Sequence, residues 1–300
     1  MAAWADAADG HRDWTELLST WTWDPLVVVL LAATTAAYAI GVRRPRGIRR
    51  WELVSFAAGQ ATLVIALLSP IDALSDVLFA AHMGQHEMLM LVSAPLLVLG
   101  RPLIAFLWAL PPRARAVVGG WTLAPAFKRT WRTISHPVVV VAVHGVAVWI
   151  WHLEPLFEAA MHSEAVHAVQ HAIFFFTAAL FWWALAHGRY GRMGYGMAVV
   201  YVFATALHTG LLGAMATLTK SAWYPTYVER APAWGVGALE DQQLAGLIMW
   251  IPAGVLFVVL GLAFFAAWLG EAERRVGYTR AEARTAHAAE HALAEERRAG

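Results

Sequence analysis

The sequence predicts an all-α membrane bundle of seven transmembrane helices, with the N-terminus outside and the C-terminus cytoplasmic. Three observations carry this: seven apolar stretches of membrane length, an alternation of charge between their connections, and histidines placed inside the apolar stretches. The chain has 300 residues, 59% of them hydrophobic and only 14% charged. Soluble domains run at roughly 45–50% apolar and about 25% charged.

A spanning helix needs about 20 mostly apolar residues. The stretches Pro25–Gly41, Trp51–Ser69, Leu74–Leu99, Val138–Trp151, Glu164–Ala186, Tyr195–Leu218 and Gln243–Leu269 meet that need, the fourth by extending to His136 and Leu153. Pro102–Leu110 is too short to span and reads as an interfacial segment or a continuation of the third helix. Trp21, Trp23, Trp51, Trp149, Trp151, Trp182, Trp183 and Trp268 sit at or near span ends, where interfacial aromatics belong. Pro70, Pro95 and Pro252 are expected to bend or end their helices.

The connections alternate in charge. Arg43, Arg44, Arg46, Arg49 and Arg50 fill the first, Arg101, Arg113, Arg115, Lys128, Arg129 and Arg132 the third, and Arg189 and Arg192 the fifth. The others hold Asp72, then Glu154, Glu158 and Glu164, then Lys220, Glu229, Arg230, Glu240 and Asp241. Basic loops stay cytoplasmic, which sets the orientation. The chain then divides into an extracytoplasmic segment 1–24, a transmembrane domain 25–270 and a charged cytoplasmic tail 271–300. Residues 1–24 lack the basic start and apolar core of a cleavable signal peptide.

Net charge of +1 gives no general attraction to nucleic acid, and the partners expected are lipid and protein. Cysteine is absent, which excludes disulfides, thiolate metal sites and cysteine nucleophiles. A soft metal ligand here must be Met, and a nitrogen ligand His.

Most of the 13 histidines fall in the apolar stretches or in the loops on one side. At 1.5 Å rise per residue, His82 lies roughly 12 Å and His86 roughly 18 Å below the outer end of their span. On the same count His171 lies roughly 10 Å, His144 roughly 11 Å and His208 roughly 15 Å down, so four helices place imidazoles in one layer. His152, His162 and His167 are expected above it at the outer surface, flanked by Glu154, Glu158 and Glu164. Residues i and i+4 share a helix face, so His82 and His86 form one stripe with Met90, and His167 and His171 form another. Two facing stripes supply four nitrogens to one ion or prosthetic group. Met83, Met88, Met161 and Met215 lie close to the same layer, and imidazole with thioether suits copper. Glu87, a carboxylate at that depth, should face His, metal or water. Taken singly, His144 and His208 are equally explained by a hydrogen bond to a neighbour, and the methionines by core filling. His287 and His291 repeat the spacing in the charged tail, where it reads as helix surface. Glu240 or Asp241 is expected to cap the seventh helix.

Several segments together resemble one family. They are His82-Met83-Gly84-Gln85-His86 leading to Ser93-Ala94-Pro95-Leu96-Leu97, His136-Pro137, and Trp151-His152-Leu153-Glu154-Pro155-Leu156. His167-Ala168-Val169-Gln170-His171 followed by Phe181-Trp182-Trp183 comes next, then the run from Leu239-Glu240-Asp241-Gln242-Gln243 to Trp250-Ile251-Pro252. These resemble the multi-span CtaG family of cytochrome c oxidase assembly factors, over about Pro25 to Leu269. The resemblance implies a non-enzymatic, multi-pass protein of the bacterial plasma membrane that helps mature a haem–copper oxidase of the caa3 type at its copper-delivery step. Its partners would be oxidase subunits and extracytoplasmic copper chaperones. The chain departs from the family pattern where Glu87 follows the second histidine, with Met88 one place later.

The metal-site candidates are therefore His82, His86, His167, His171, His152, His162, His208, Glu87 and Met83, with copper as the expected metal. Haem held between the third and fifth helices by the same histidines is the alternative. A proton pathway through Glu87 is a third reading. Against it, no inverted repeat is evident.

Overall fold

A computed structural model describes residues 14–43, 47–187 and 193–299, with side chains described as far as Arg275. Every regular element among the described residues is helical. In order they are α1 (Trp14–Ser19), α2 (Pro25–Val42), α3 (Arg50–Leu68), α4 (Pro70–Ser75), α5 (Phe79–Glu87), a π-helical turn (Met88–Ser93) and α6 (Ala94–Leu99). Then follow α7 (Pro102–Ala109), α8 (Pro112–Leu123), α9 (Pro125–Ile134), α10 (Pro137–Trp151), α11 (Glu154–His162) and α12 (Glu164–His187). The last are α13 (Tyr195–Leu218), α14 (Pro225–Arg230), a 3-10 turn (Ala231–Trp234) and α15 (Ala238–Ala299). Pro25, Pro70, Pro102, Pro112, Pro125, Pro137 and Pro225 each open a helix, where the missing N–H costs nothing.

Five helices, α2, α3, α12, α13 and α15 over Ala238–Arg275, are long and apolar enough to cross a membrane. Two bent pairs raise the number to seven if each is one span: Phe79–Leu99 with α7, at 56°, and α9 with α10, at 59°. All seven stretches expected from the sequence fall on these segments. The first bend is made at Arg101, whose φ of 51° is left-handed, and whose guanidinium reaches the buried Glu52 at 3.4 Å. Large side chains such as Leu30, Phe176, Phe203, Leu207 and Val258 point outward, as a lipid-facing surface requires.

The stretch Leu74–Leu99 is not the single helix expected. It breaks after Ser75, and Leu78, extended at φ −124°, restarts the chain as α5. Asp241 is the physical cause of the clean restart. Its carboxylate accepts from the backbone N–H of Phe79 at 2.6 Å and of Ala80 at 3.0 Å. The expected cap thus exists, but it serves α5 rather than Asp241's own helix, which begins earlier, at Ala238. α15 continues through Pro252 to Ala299.

The π-helical turn follows from Pro95. The N–H of Ala94 donates to Leu89 O in the i→i−5 register. Pro95 would donate next, to Met90 O, but has no N–H. The Trp182 indole of α12 supplies that bond instead, at 2.8 Å. W182F should orphan the Met90 carbonyl and cost about 1–3 kcal/mol, read as a lower unfolding temperature in detergent.

Three connections gather at one end of the bundle. Tyr227 Oη donates to Ser75 O at 2.7 Å, Tyr224 Oη to His152 O at 2.8 Å, and Thr226 Oγ1 to Glu158 at 2.5 Å. α1 joins them, with Leu17 buried against Ala73 and Val77. At the other end Tyr38 Oη donates to Gly100 O at 2.8 Å. Arg44, Arg46, Arg189 and Arg192 lie outside the described residues, as do the side chains of His287 and His291.

Candidate metal centre

α5 and α12 face each other, and the i, i+4 spacing turns both histidine pairs to the shared side. Ring centroids stand 4.3 Å apart for His82–His86, 4.1 Å for His167–His171, 5.1 Å for His82–His167 and 5.1 Å for His86–His171. The four rings form one contiguous patch. Phe157 walls it beside His82, at 5.2 Å, and Phe174 beside His86, at 4.8 Å.

His82 and His86 are 0% and 1% exposed. Neither nitrogen of either ring has a hydrogen-bond partner among the described residues, nor has His167 Nε2 or His171 Nε2. The Ser75 carbonyl, which accepts from Tyr227 Oη, also lies near His82. Orphaned buried polar groups cost about 1–3 kcal/mol each. A cation shared among the rings would satisfy one nitrogen of each, so the donor set fits a metal. One nitrogen from each of His82, His86 and His167 lies within 4.8 Å of the others. Nitrogens on one ion at 2.0–2.1 Å stand about 3.3 Å apart at a tetrahedral angle. The rings therefore need to close by up to roughly 1.5 Å, a side-chain adjustment on fixed helices.

The other expected ligands are placed differently. His152 is not at the outer surface but buried, its carbonyl held by Tyr224 and its ring against Phe174, and its Nε2 lies 3.4 Å from Met83 Sδ. His162 is exposed at the end of α11, donating from Nδ1 to Glu158 O at 2.7 Å. His208 lies on α13 beside His144, ring centroids 6.1 Å apart, and neither of its nitrogens has a partner among the described residues. His144 donates from Nδ1 to Thr177 Oγ1 at 3.0 Å, the hydroxyl proton going to Ile173 O. The single expected layer thus separates into an α5–α12 cluster and an α10–α13 pair. Glu87, half-buried, stands outside the three-histidine group, and its Oε2 has no partner among the described residues.

Several supporting residues escaped the sequence reading. Gln85 is fully buried and donates to Ala66 O and Asp72 Oδ1, both at 2.8 Å, bracing α5 against α3 and α4. Burial raises the Asp72 carboxyl, and the Gln85 bond opposes that rise. Burial likewise holds the Tyr227 hydroxyl well above its ordinary value, so it remains a neutral donor. Gln170 is fully buried, and neither its oxygen nor its nitrogen is partnered among the described residues. A signal was present: each of the two paired motifs reads His-x-x-Gln-His, with Gln directly before the second histidine.

Fold and site together define a polytopic helical membrane protein built around a buried imidazole cluster. The family described as cytochrome c oxidase caa3 assembly factor (Caa3_CtaG) matches residues 36–271. The chain belongs to that family. It is also 26% identical over 274 residues to uncharacterized proteins of Mycobacterium bovis and Mycobacterium tuberculosis, which covers 87% of this chain and 41% of theirs. An uncharacterized protein of Mycobacterium leprae is 25% identical, over 85% of this chain and 40% of its own length. The chain therefore spans about two fifths of these curated relatives. No solved structure matches the chain significantly.

Proposed function

We propose that the chain carries copper as cargo for the maturation of a haem–copper oxidase, with His82, His86 and His167 as the principal donors and His171 beside them. The observation that carries this is the contact of four imidazoles from two helices, with every nitrogen of His82 and His86 unpartnered among the described residues. Nitrogen donors with nearby thioether, and no thiolate, select copper over magnesium or calcium. The basic loops at the other end support an orientation in which the end formed by α4, α11 and α14 faces outward from a bacterial plasma membrane. His162 at that end offers a first contact to an extracytoplasmic copper chaperone, and the oxidase subunits receive the ion on the same side. The chain acts by holding and releasing an ion, a role that needs no catalytic residue.

The packing favours an ion over a haem. Imidazoles on opposite faces of an iron have centroids about 6 Å apart with the porphyrin between them. Here His82–His167 and His86–His171 stand 5.1 Å apart, and the one pair near the haem spacing, His82–His171 at 6.3 Å, has His86 and His167 packed against both rings, with Phe157 and Phe174 closing the flanks. Metal analysis with a visible spectrum tests the reading on protein purified in detergent after copper-supplemented growth. Copper without a Soret band is expected, unchanged in H287A/H291A. A Soret band would replace copper with haem in this account.

A further inference from the structure

The contact between His152 and Met83 has chemistry of its own. His152 follows the last residue of α10, and its Nδ1 lies 2.7 Å from Val148 O. A carbonyl oxygen only accepts, so Nδ1 carries the proton. In the neutral ring this leaves Nε2 as a bare lone pair. Nε2 points at Met83 Sδ, 3.4 Å away, and a thioether has no hydrogen to offer. Two electron-pair donors therefore face each other in a buried site, where Met83 is 1% exposed and His152 8%.

The spacing is that of two ligands of one ion. With bonds of about 2.0 Å to imidazole nitrogen and about 2.3 Å to sulfur, a tetrahedral angle separates the two donors by about 3.5 Å. The outer support of a metal-binding histidine is also in place. Its second ring nitrogen is committed to a backbone carbonyl, the arrangement that fixes tautomer and orientation in metal sites. Tyr224 Oη holds the His152 carbonyl at 2.8 Å, and the ring stacks on Phe174 at 5.9 Å and 21°. Phe174 also packs on His86, at 4.8 Å, so the pair adjoins the histidine cluster without belonging to it.

We infer that His152 Nε2 and Met83 Sδ form a second metal station, separate from the three-histidine site and selective for Cu(I). A single nitrogen with a thioether favours the soft monovalent ion, whereas the all-imidazole site accepts either oxidation state. The inference rests on the copper-cargo reading, and the two have distinguishable failures.

The test is anaerobic titration of the detergent-purified full chain with Cu(I) against a competing chelator, followed by copper X-ray absorption. Wild type is expected to bind about two Cu(I) per chain, with a sulfur scatterer near 2.3 Å. M83L keeps the side-chain volume and removes the sulfur. It should bind about one, lose the sulfur scatterer and keep the nitrogen-only site, and H152Q should behave alike. H82A/H86A should show the reverse, retaining sulfur-ligated copper. Wild type with nitrogen-only copper, or a sulfur scatterer that survives in M83L, would overturn the second station and leave the histidine site standing. Sulfur-ligated copper alone, lost in M83L, would uphold the station and remove the histidine site. Absence of bound copper would overturn both.

Discussion

The H82A/H86A chain should reach the membrane at wild-type abundance yet leave its oxidase without activity. Both rings are central to the cluster, each touching the other and one or both histidines of α12. Even residues that merely support metal ligands are worth about 10–100-fold in affinity, so removing two ligands should weaken copper binding by more than about 100-fold. Stability should respond differently. Truncating a large buried side chain ordinarily costs about 3–5 kcal/mol, but these rings carry orphaned nitrogens whose removal returns about 1–3 kcal/mol per group. The metal-free variant should therefore unfold close to wild type. What it should lose is the rise in unfolding temperature on adding Cu(II), the ion the His152–Met83 station does not select, equivalent to about 2.7 kcal/mol at a hundred times the dissociation constant. Oxidase activity in membranes, immunoblotting and detergent thermal unfolding with and without copper read the three effects. A large drop in metal-free stability would mean the histidines are core residues and nothing more.

D241A should produce the largest structural effect of any single change. Asp241 carries two backbone donors of α5 across 162 residues of sequence, and it is 2% exposed. Alanine leaves the N–H groups of Phe79 and Ala80 buried and unpartnered and removes the negative charge from a helix N-terminus. The expected loss is about 2–4 kcal/mol, seen as a lower unfolding temperature. His82 stands less than one turn inside α5, so copper affinity should fall as well, through the placement of α5. D241N, which keeps an acceptor oxygen for one of the two donors, should lie between. Equal stability of D241A and wild type would show that α5 is held by packing alone.

The span pattern was legible because it depends on local quantities. Length and apolarity define α2, α3, α12 and α13 without reference to any partner, and tryptophans mark ends of the first three. Paired histidines were legible for the same reason, since i, i+4 spacing fixes a shared face. What escaped depends on contacts distant in sequence. The π-helical turn answers to an indole 92 residues away, and α5 begins where a carboxylate of the last helix meets it. Depth alone puts His152 at the surface because it does not include the connection before α14, whose Tyr224 covers the His152 backbone. Counting also merged His208 with the main cluster, since one depth on α13 does not say which neighbour the ring meets. Gln85 and Gln170 repeat at the same place in both motifs, a local signal that position in the motif alone could have revealed.

The central claim is that copper held by this chain reaches the oxidase. The chain, loaded with isotopically enriched copper and reconstituted in vesicles with copper-depleted oxidase, puts that claim to direct measurement. The account predicts that the enriched isotope appears in the re-isolated oxidase together with recovered activity, and that H82A/H86A transfers none. Retention of the isotope by the loaded chain, or equal transfer by H82A/H86A, would contradict it.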